Sequence, residues 1–172
     1  MTERPVLYLV VCAAGPAEHI HELVDLLIAD GWRVCLILSP TAAPRLNRAA
    51  LEDKTGYLVR VEWRMPGDPE PHPPADAVLA APVTFNTMAK WALGINDTLA
   101  LGVLNESLGA GLPIVALPHV KAELAAHPAY GGHLAVLRGA GVVVADGNAL
   151  NPMHGPGRWG VVVEALRSFR QP

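Results

Sequence analysis

After a run of small apolar residues ending at Pro82 come Thr84, Asn86 and Thr87, two hydroxyls and an amide within four positions. A hydroxyl both donates and accepts, and an Asn amide presents a donor and an acceptor side by side. These capacities suit a heterocycle edge on which N–H and C=O alternate, with a polyol chain beside it. The pyrimidine edge and ribityl chain of a flavin have that pattern. Phe85 lies inside the same motif and belongs to the same candidate site. Two further segments offer donors. Ala13-Ala14-Gly15-Pro16 opens a helix-like stretch, so Ala14 and Gly15 would bring free backbone N–H groups and little side-chain bulk to a phosphate. Ser39 and Thr41 would add hydroxyl donors from a second turn.

One candidate for proton transfer is His72, because an imidazole titrates near neutrality. It sits in a proline-rich segment, with Pro71 before it and Pro73-Pro74 after it. Two cations could hold a substrate carboxylate by charge, Lys121 and Arg158, the latter closing a Gly/Pro/Asn-rich loop. His127, His133 and His154 lack the spacing of a metal site, and no metal is expected.

These residues need a scaffold that gathers loop ends. Val6–Cys12 is a continuous apolar run of strand length, and Ile20, Leu23, Val24, Leu27 and Ile28 fall on one face of a helix spanning about 17–29. Arg33–Leu38 is a second strand and closes a βαβ unit. A short helix is expected to run to about Ala50, and a short third strand over Tyr57–Val61. Five prolines between Arg64 and Pro74 exclude regular structure there. A strand over Ala77–Ala81 precedes helices over about 84–93 and 97–108. Ile114–Leu117 and Val142–Val144 read as the last strands. Between them lies a helix over 119–138, broken near Pro128 and Gly131-Gly132, and a final helix covers about 160–169. Strands alternating with helices give a doubly wound α/β sheet, and in such sheets ligands sit beyond the carboxyl ends of the strands. The turns at 13–16, 39–41 and 82–87 would all lie on that side.

"APVTFNT" (81–87) followed by "GINDTLAL" (94–101) resembles the Pro-Ala-Ser-Ala-Asn-Thr motif and Gly-Ile-x-Asp segment of the homo-oligomeric flavin-containing cysteine decarboxylases. That family includes phosphopantothenoylcysteine decarboxylase, the peptidyl-cysteine decarboxylases of lantibiotic-type biosynthesis and, more distantly, the flavin prenyltransferases. "LSPTAAPRL" (38–46) is similar to the family's Ser/Thr-Pro segment. The family's first Gly-Ser is replaced here by Ala13-Ala14, and its Ala-Met-Asn by His119-Val120-Lys121. Gly155–Trp159 resembles the family's Ser-Gly-Arg segment, which carries Arg158 over. The resemblance implies a flavodoxin-like, Rossmann-like three-layer α/β/α fold and bound FMN. It also implies oxidative decarboxylation of a small-molecule or peptide thiol carboxylate of cysteine type, with His72 as the acid–base group. Trimers or dodecamers are implied as well. Met88, Trp91, Leu93 and Ile95 are more apolar surface than one helix face needs and are expected to form the subunit contact, with Asp97 beside it.

At 172 residues the chain reads as a single flavoprotein domain. It is 51% hydrophobic and 17% charged, a composition suited to a sheet covered on both faces. A net charge of −3 leaves no cationic footprint for nucleic acid. No apolar run reaches membrane-spanning length, and Val6–Val11 lacks a signal peptide's cationic start. Cys12 and Cys35 fall in strands and read as core thiols of a cytoplasmic protein. Two alternatives stay open beside the decarboxylase: a non-catalytic FMN-binding partner protein, and a prenyltransferase relative that draws on Arg45, Arg48, Lys121 and Arg158 for an isoprenyl phosphate.

Overall fold

Val6–Val11 forms strand β1, an interior strand of a five-stranded parallel sheet ordered β2-β1-β3-β4-β5. The other strands are β2 (Arg33–Leu38), β3 (Ala77–Val83), β4 (Ile114–Pro118) and the two-residue β5 (Val143–Val144). The computed structural model describes residues 4–145 and 159–169. Register is continuous from Val6–Arg33 to Val11–Leu38 between β1 and β2, and it shifts between Ala80 and Val83 where β3 meets β4. Strand order reverses at β1/β3, the switch point of a flavodoxin-like sheet.

The helices are α1 (Ile20–Ala29, entered through a 3-10 turn at Gly15–His19), α2 (Arg48–Thr55), α3 (Phe85–Ala92), α4 (Leu99–Gly109), the single turn α5 (Ala122–Ala125), α6 (Pro128–Gly139) and α7 (Gly160–Ser168). They form layers on both faces of the sheet. Leu7, Leu9 and Val11 of β1 share one core with Leu23 and Leu27 of α1 and with Val162 and Leu166 of α7. Val10 and Cys12 point the other way, into a second core with Met88 and Trp91 of α3 and Leu104 of α4. The alternation follows from the two-residue period of a strand buried on both faces. None of the described helices is long and apolar enough to cross a membrane.

Helix ends deliver the chain into strands by a repeated device. At the end of α1, Gly31 N–H donates to Ile28 C=O and Trp32 N–H to Leu27 C=O, with Gly31 at φ +90°. This is the Schellman arrangement, and its left-handed residue is one that only glycine adopts without strain. It drops Trp32 into the core one residue before β2.

Three local expectations need correction. The run at 57–61 is not a strand; only Arg60 bridges to β2, opposite Ile37. Side chains of α2 take the backbone groups a strand would need, because Val59 N–H donates to Glu52 Oε1 at 2.8 Å and Val59 C=O accepts from Arg48 at 3.2 Å. The helix expected up to Ala50 divides instead. A 3-10 turn at Ala43–Arg45 ends at Leu46, and Asn47 then caps α2 by accepting from Ala50 N–H at 3.1 Å. Gly131 and Gly132 do not interrupt α6. The break is at 126–127, just ahead of Pro128, which occupies the first turn where its missing N–H costs nothing.

Trp63 lies across α4 at Gly102, where an added Cβ would sit 2.0 Å from the indole edge. Gly102→Ala is therefore expected to push the ring off the helix. Emission should shift to the red and acrylamide quenching should rise, because the other three tryptophans are buried. Net stability should change little, since alanine returns ~1 kcal/mol of helix propensity. An unchanged spectrum would show that the ring is not seated there.

Candidate functional site

Backbone pairing carries on past the strands and ties the loops of one sheet end together. Cys12 N–H donates to Pro82 C=O at 3.0 Å, Ser39 N–H to Val11 C=O at 2.9 Å and His119 N–H to Val83 C=O at 2.9 Å. The turns after β1, β2, β3 and β4 thus share one mouth at the carboxyl ends of the strands.

Its most ordered part is the turn from β3 into α3. Thr84 caps α3, with Oγ1 accepting from Thr87 N–H at 3.3 Å and donating to Thr87 Oγ1 at 3.2 Å. The Cys12 thiol donates to the same Thr87 oxygen at 3.4 Å, and burial pushes that thiol's pKa up, so it stays protonated. Thr87 is buried and faces this network, so its hydroxyl positions the turn from beneath. Phe85 and Asn86 remain to face outward, Asn86 exposed and Phe85 half-buried. The Phe85 ring stands 5.7 Å from His127 and 5.8 Å from Tyr130, centroid to centroid, which adds an aromatic wall from the start of α6. Burial raises the Tyr130 phenol.

In the loop after β1, Ala14 N–H donates to Cys12 C=O and Ala17 N–H to Ala14 C=O, both at 2.9 Å, which coils the chain into the turn that leads to α1. A Cβ on Gly15 would lie 4.0 Å from His119 Nε2. The imidazole therefore reaches past the end of β3 toward the β1 loop. Ser39 Oγ accepts from Ala42 N–H at 3.2 Å and keeps its own proton to donate, and Thr41 is exposed beside it. Lys121 is exposed ahead of α5. Arg158 lies outside the described residues.

His72 is not at this mouth. It is 2% exposed and packs between the rings of Tyr8 and Tyr57, at 5.6 and 6.3 Å, with Nε2 2.7 Å from Leu58 C=O. Burial lowers its pKa, with Arg60 adding to the effect and the Leu58 carbonyl and Glu70 opposing it. The native imidazole is neutral, whereas in the unfolded chain it takes up a proton below about 6.5. Its contribution to stability is therefore complete above that pH and is lost as pH falls below it. Burial lowers His119 in the same direction. Thermal unfolding between pH ~7.5 and ~5 should show the loss, and His72→Gln should remove part of it. A pH dependence identical to wild type would contradict the burial.

The apolar patch expected for a subunit contact is smaller than the sequence suggests. Met88 and Trp91 are fully buried in the chain's own core, which leaves Leu93 at 67% and Ile95 at 39% exposure. Asp97 pairs with Lys90. A cavity of about 430 Å3 lies away from the mouth, between Tyr8, the 60–70 segment and α4. Among the described residues no group of His, Cys, Asp and Glu could hold a metal ion.

His119 and the ring pair His127 and Tyr130 were not assigned to the site from sequence. For His119 a signal existed, since the residue that follows an interior parallel strand stands at the mouth by topology.

The fold is similar to that of the FMN-dependent cysteine decarboxylase TvaF from thioviridamide biosynthesis, with a TM-score of 0.78 and 24% identity over 97% of this chain and 99% of that one. It is equally similar to a PPC decarboxylase variant complexed with pantothenoylaminoethenethiol, with a TM-score of 0.78 and 18% identity over 98% and 100%. At these identities the likeness carries the fold. The coenzyme A biosynthesis bifunctional protein CoaBC of Thermococcus kodakarensis is 30% identical over 125 residues, 67% of this chain and 30% of that protein. A cysteine/cysteine sulfinic acid decarboxylase from an unknown prokaryotic organism is 31% identical over 96 residues, 54% of this chain and 26% of that protein. The chain thus spans less than a third of the length of these curated relatives. The sequence model of the Flavoprotein family matches residues 1–166, nearly the whole chain, and the protein belongs to that family.

Proposed function

We propose that this flavoprotein binds FMN at the mouth formed by the turns after β1 to β4 and decarboxylates a cysteine-type thiol carboxylate, either a small molecule or a peptide C-terminus. The observation that carries this reading is the Thr84–Thr87–Cys12 network, which is internally satisfied and leaves Asn86 as the outward amide of a rigid turn. The donor set fits the cofactor. Asn86 would meet the pyrimidine edge, and Phe85, Thr84 and Thr87 would shape the turn around it. Ala14, whose own N–H is held on Cys12 C=O, would shape the turn so that Gly15 brings its backbone N–H, and Ser39 and Thr41 their hydroxyls, to the phosphate end. Bound FMN would supply a two-electron acceptor. Lys121 and Arg158 would hold the substrate carboxylate by charge.

Two of the relatives' names support the substrate class, the cysteine/cysteine sulfinic acid decarboxylase and the FMN-dependent cysteine decarboxylase TvaF. The same reading places the protein in the cytoplasm as a homotrimer or dodecamer, with Leu93 and Ile95 as exposed apolar contacts. The burial of His72 favours a second reading, a flavoprotein that holds FMN and works through partners.

One preparation tests both. The purified protein should be yellow, should release FMN rather than FAD, and should take carbon dioxide from a cysteine-terminated peptide. FMN uptake without decarboxylation of any thiol carboxylate would select the second reading. A colourless protein that takes up no FMN would overturn both.

A further inference from the structure

We infer that His119, rather than His72, is the imidazole that meets the bound thiol carboxylate and takes its thiol proton. The inference rests on the function proposed above and assigns that site its acid–base residue.

The position is fixed by backbone. His119 follows β4 directly, and its N–H is held on Val83 C=O at 2.9 Å, one residue before the cap of α3. From there its side chain extends toward the β1 loop, with Nε2 4.0 Å from the point a Gly15 Cβ would occupy. The turns after β1 and β4 therefore meet at this ring, and the backbone N–H of His119 ties the β4 turn to the end of β3. The ring thus stands across the mouth at van der Waals range of the β1 loop, where a ligand seated between these turns can reach it.

The ring is also available. Among the described residues no hydrogen bond or ion pair engages it, whereas Nε2 of His72 is occupied by Leu58 C=O beneath two tyrosine rings. His119 is half-buried, and partial dehydration lowers its pKa, so that the neutral form with a free lone pair dominates at neutral pH. The step is a proton transfer: the S–H bond breaks, an N–H bond forms, and thiolate and imidazolium result. No electrons change hands in it.

The test reads binding and turnover separately. His119→Gln should take up FMN with an affinity within about threefold of wild type. It should lose about 10²–10⁴-fold in decarboxylation of the cysteine-terminated peptide, the usual scale of general acid–base catalysis. His133→Gln, in the middle of α6, controls for the loss of an imidazole and should retain turnover. In the FMN-loaded wild type, a serine-terminated analogue of the peptide should move the imidazole proton resonance that is missing from His119→Gln. FMN-loaded His119→Gln turning over within threefold of wild type would overturn the inference. If the wild type decarboxylates nothing, the proposed function fails, and the resonance still decides whether His119 meets the ligand: unmoved, the inference falls.

Discussion

Asn86→Ala is expected to weaken FMN binding by ~1–3 kcal/mol, roughly 5- to 150-fold, measured by quenching of flavin fluorescence. The side chain stands in the first turn of α3, and the turn is held from beneath by Thr84, Thr87 and Cys12. The amide is thus aimed before the ligand arrives and loses little freedom on binding. Removing it leaves the N–H and C=O of a desolvated heterocycle edge without partners, and that unpaired state accounts for most of the cost. Because Asn86 is exposed, the stability of the FMN-free protein should stay within ~0.5 kcal/mol of wild type. Unchanged FMN affinity would move the site away from α3.

Trp91→Ala is expected to cost ~3–5 kcal/mol of stability, the range for truncating a buried aromatic. For a chain of this size that lowers Tm by roughly 6–20 °C. The indole is 1% exposed and fills the second core with Met88, Val10 and Leu104. It anchors the inner face of the helix whose first turn carries Asn86, so truncation should also loosen that turn and weaken FMN binding. Saturating FMN should in turn recover part of the lost Tm, because it binds only the folded state. Thermal unfolding with and without FMN measures both effects. A loss below ~1 kcal/mol would mean that the site collapses onto the gap or that Trp91 is not in the core.

Strands buried on both faces were legible because Val6–Val11, residues 34–38 and Ala77–Val83 are unbroken apolar runs. The mouth was legible from topology, which gathers every turn after a parallel strand on one side. What escaped depended on contacts distant in sequence. Tyr57–Val61 has strand composition, yet Glu52 and Arg48 claim the backbone of Val59. Met88 and Trp91 looked like surplus surface because the sequence does not show that the sheet and α4 meet this side of α3. His72 looked like an available acid–base group in a proline-rich loop, since its partner carbonyl is fourteen positions away at Leu58. The Thr84 and Thr87 hydroxyls read in the sequence as ligand contacts; that they also cap α3 shows only in their distances.

Among the described residues the two apolar layers form separate cores on opposite faces of the sheet, and the proposed cofactor would touch both. Its phosphate end would sit on the loop into α1, whose Ala17 belongs to one layer, and its ring end on the turn into α3, whose Met88 belongs to the other. A ligand of that length is a tie-bar across the mouth. Without it, Leu166→Ala in α7 and Met88→Ala in α3 should have additive effects on stability, as distant sites do. With FMN bound, each loosens one anchorage of the same rod, and the pair should cost the loaded protein a different amount from the sum of the singles. Riboflavin, which has the ring but no phosphate to grip the α1 side, should leave them additive.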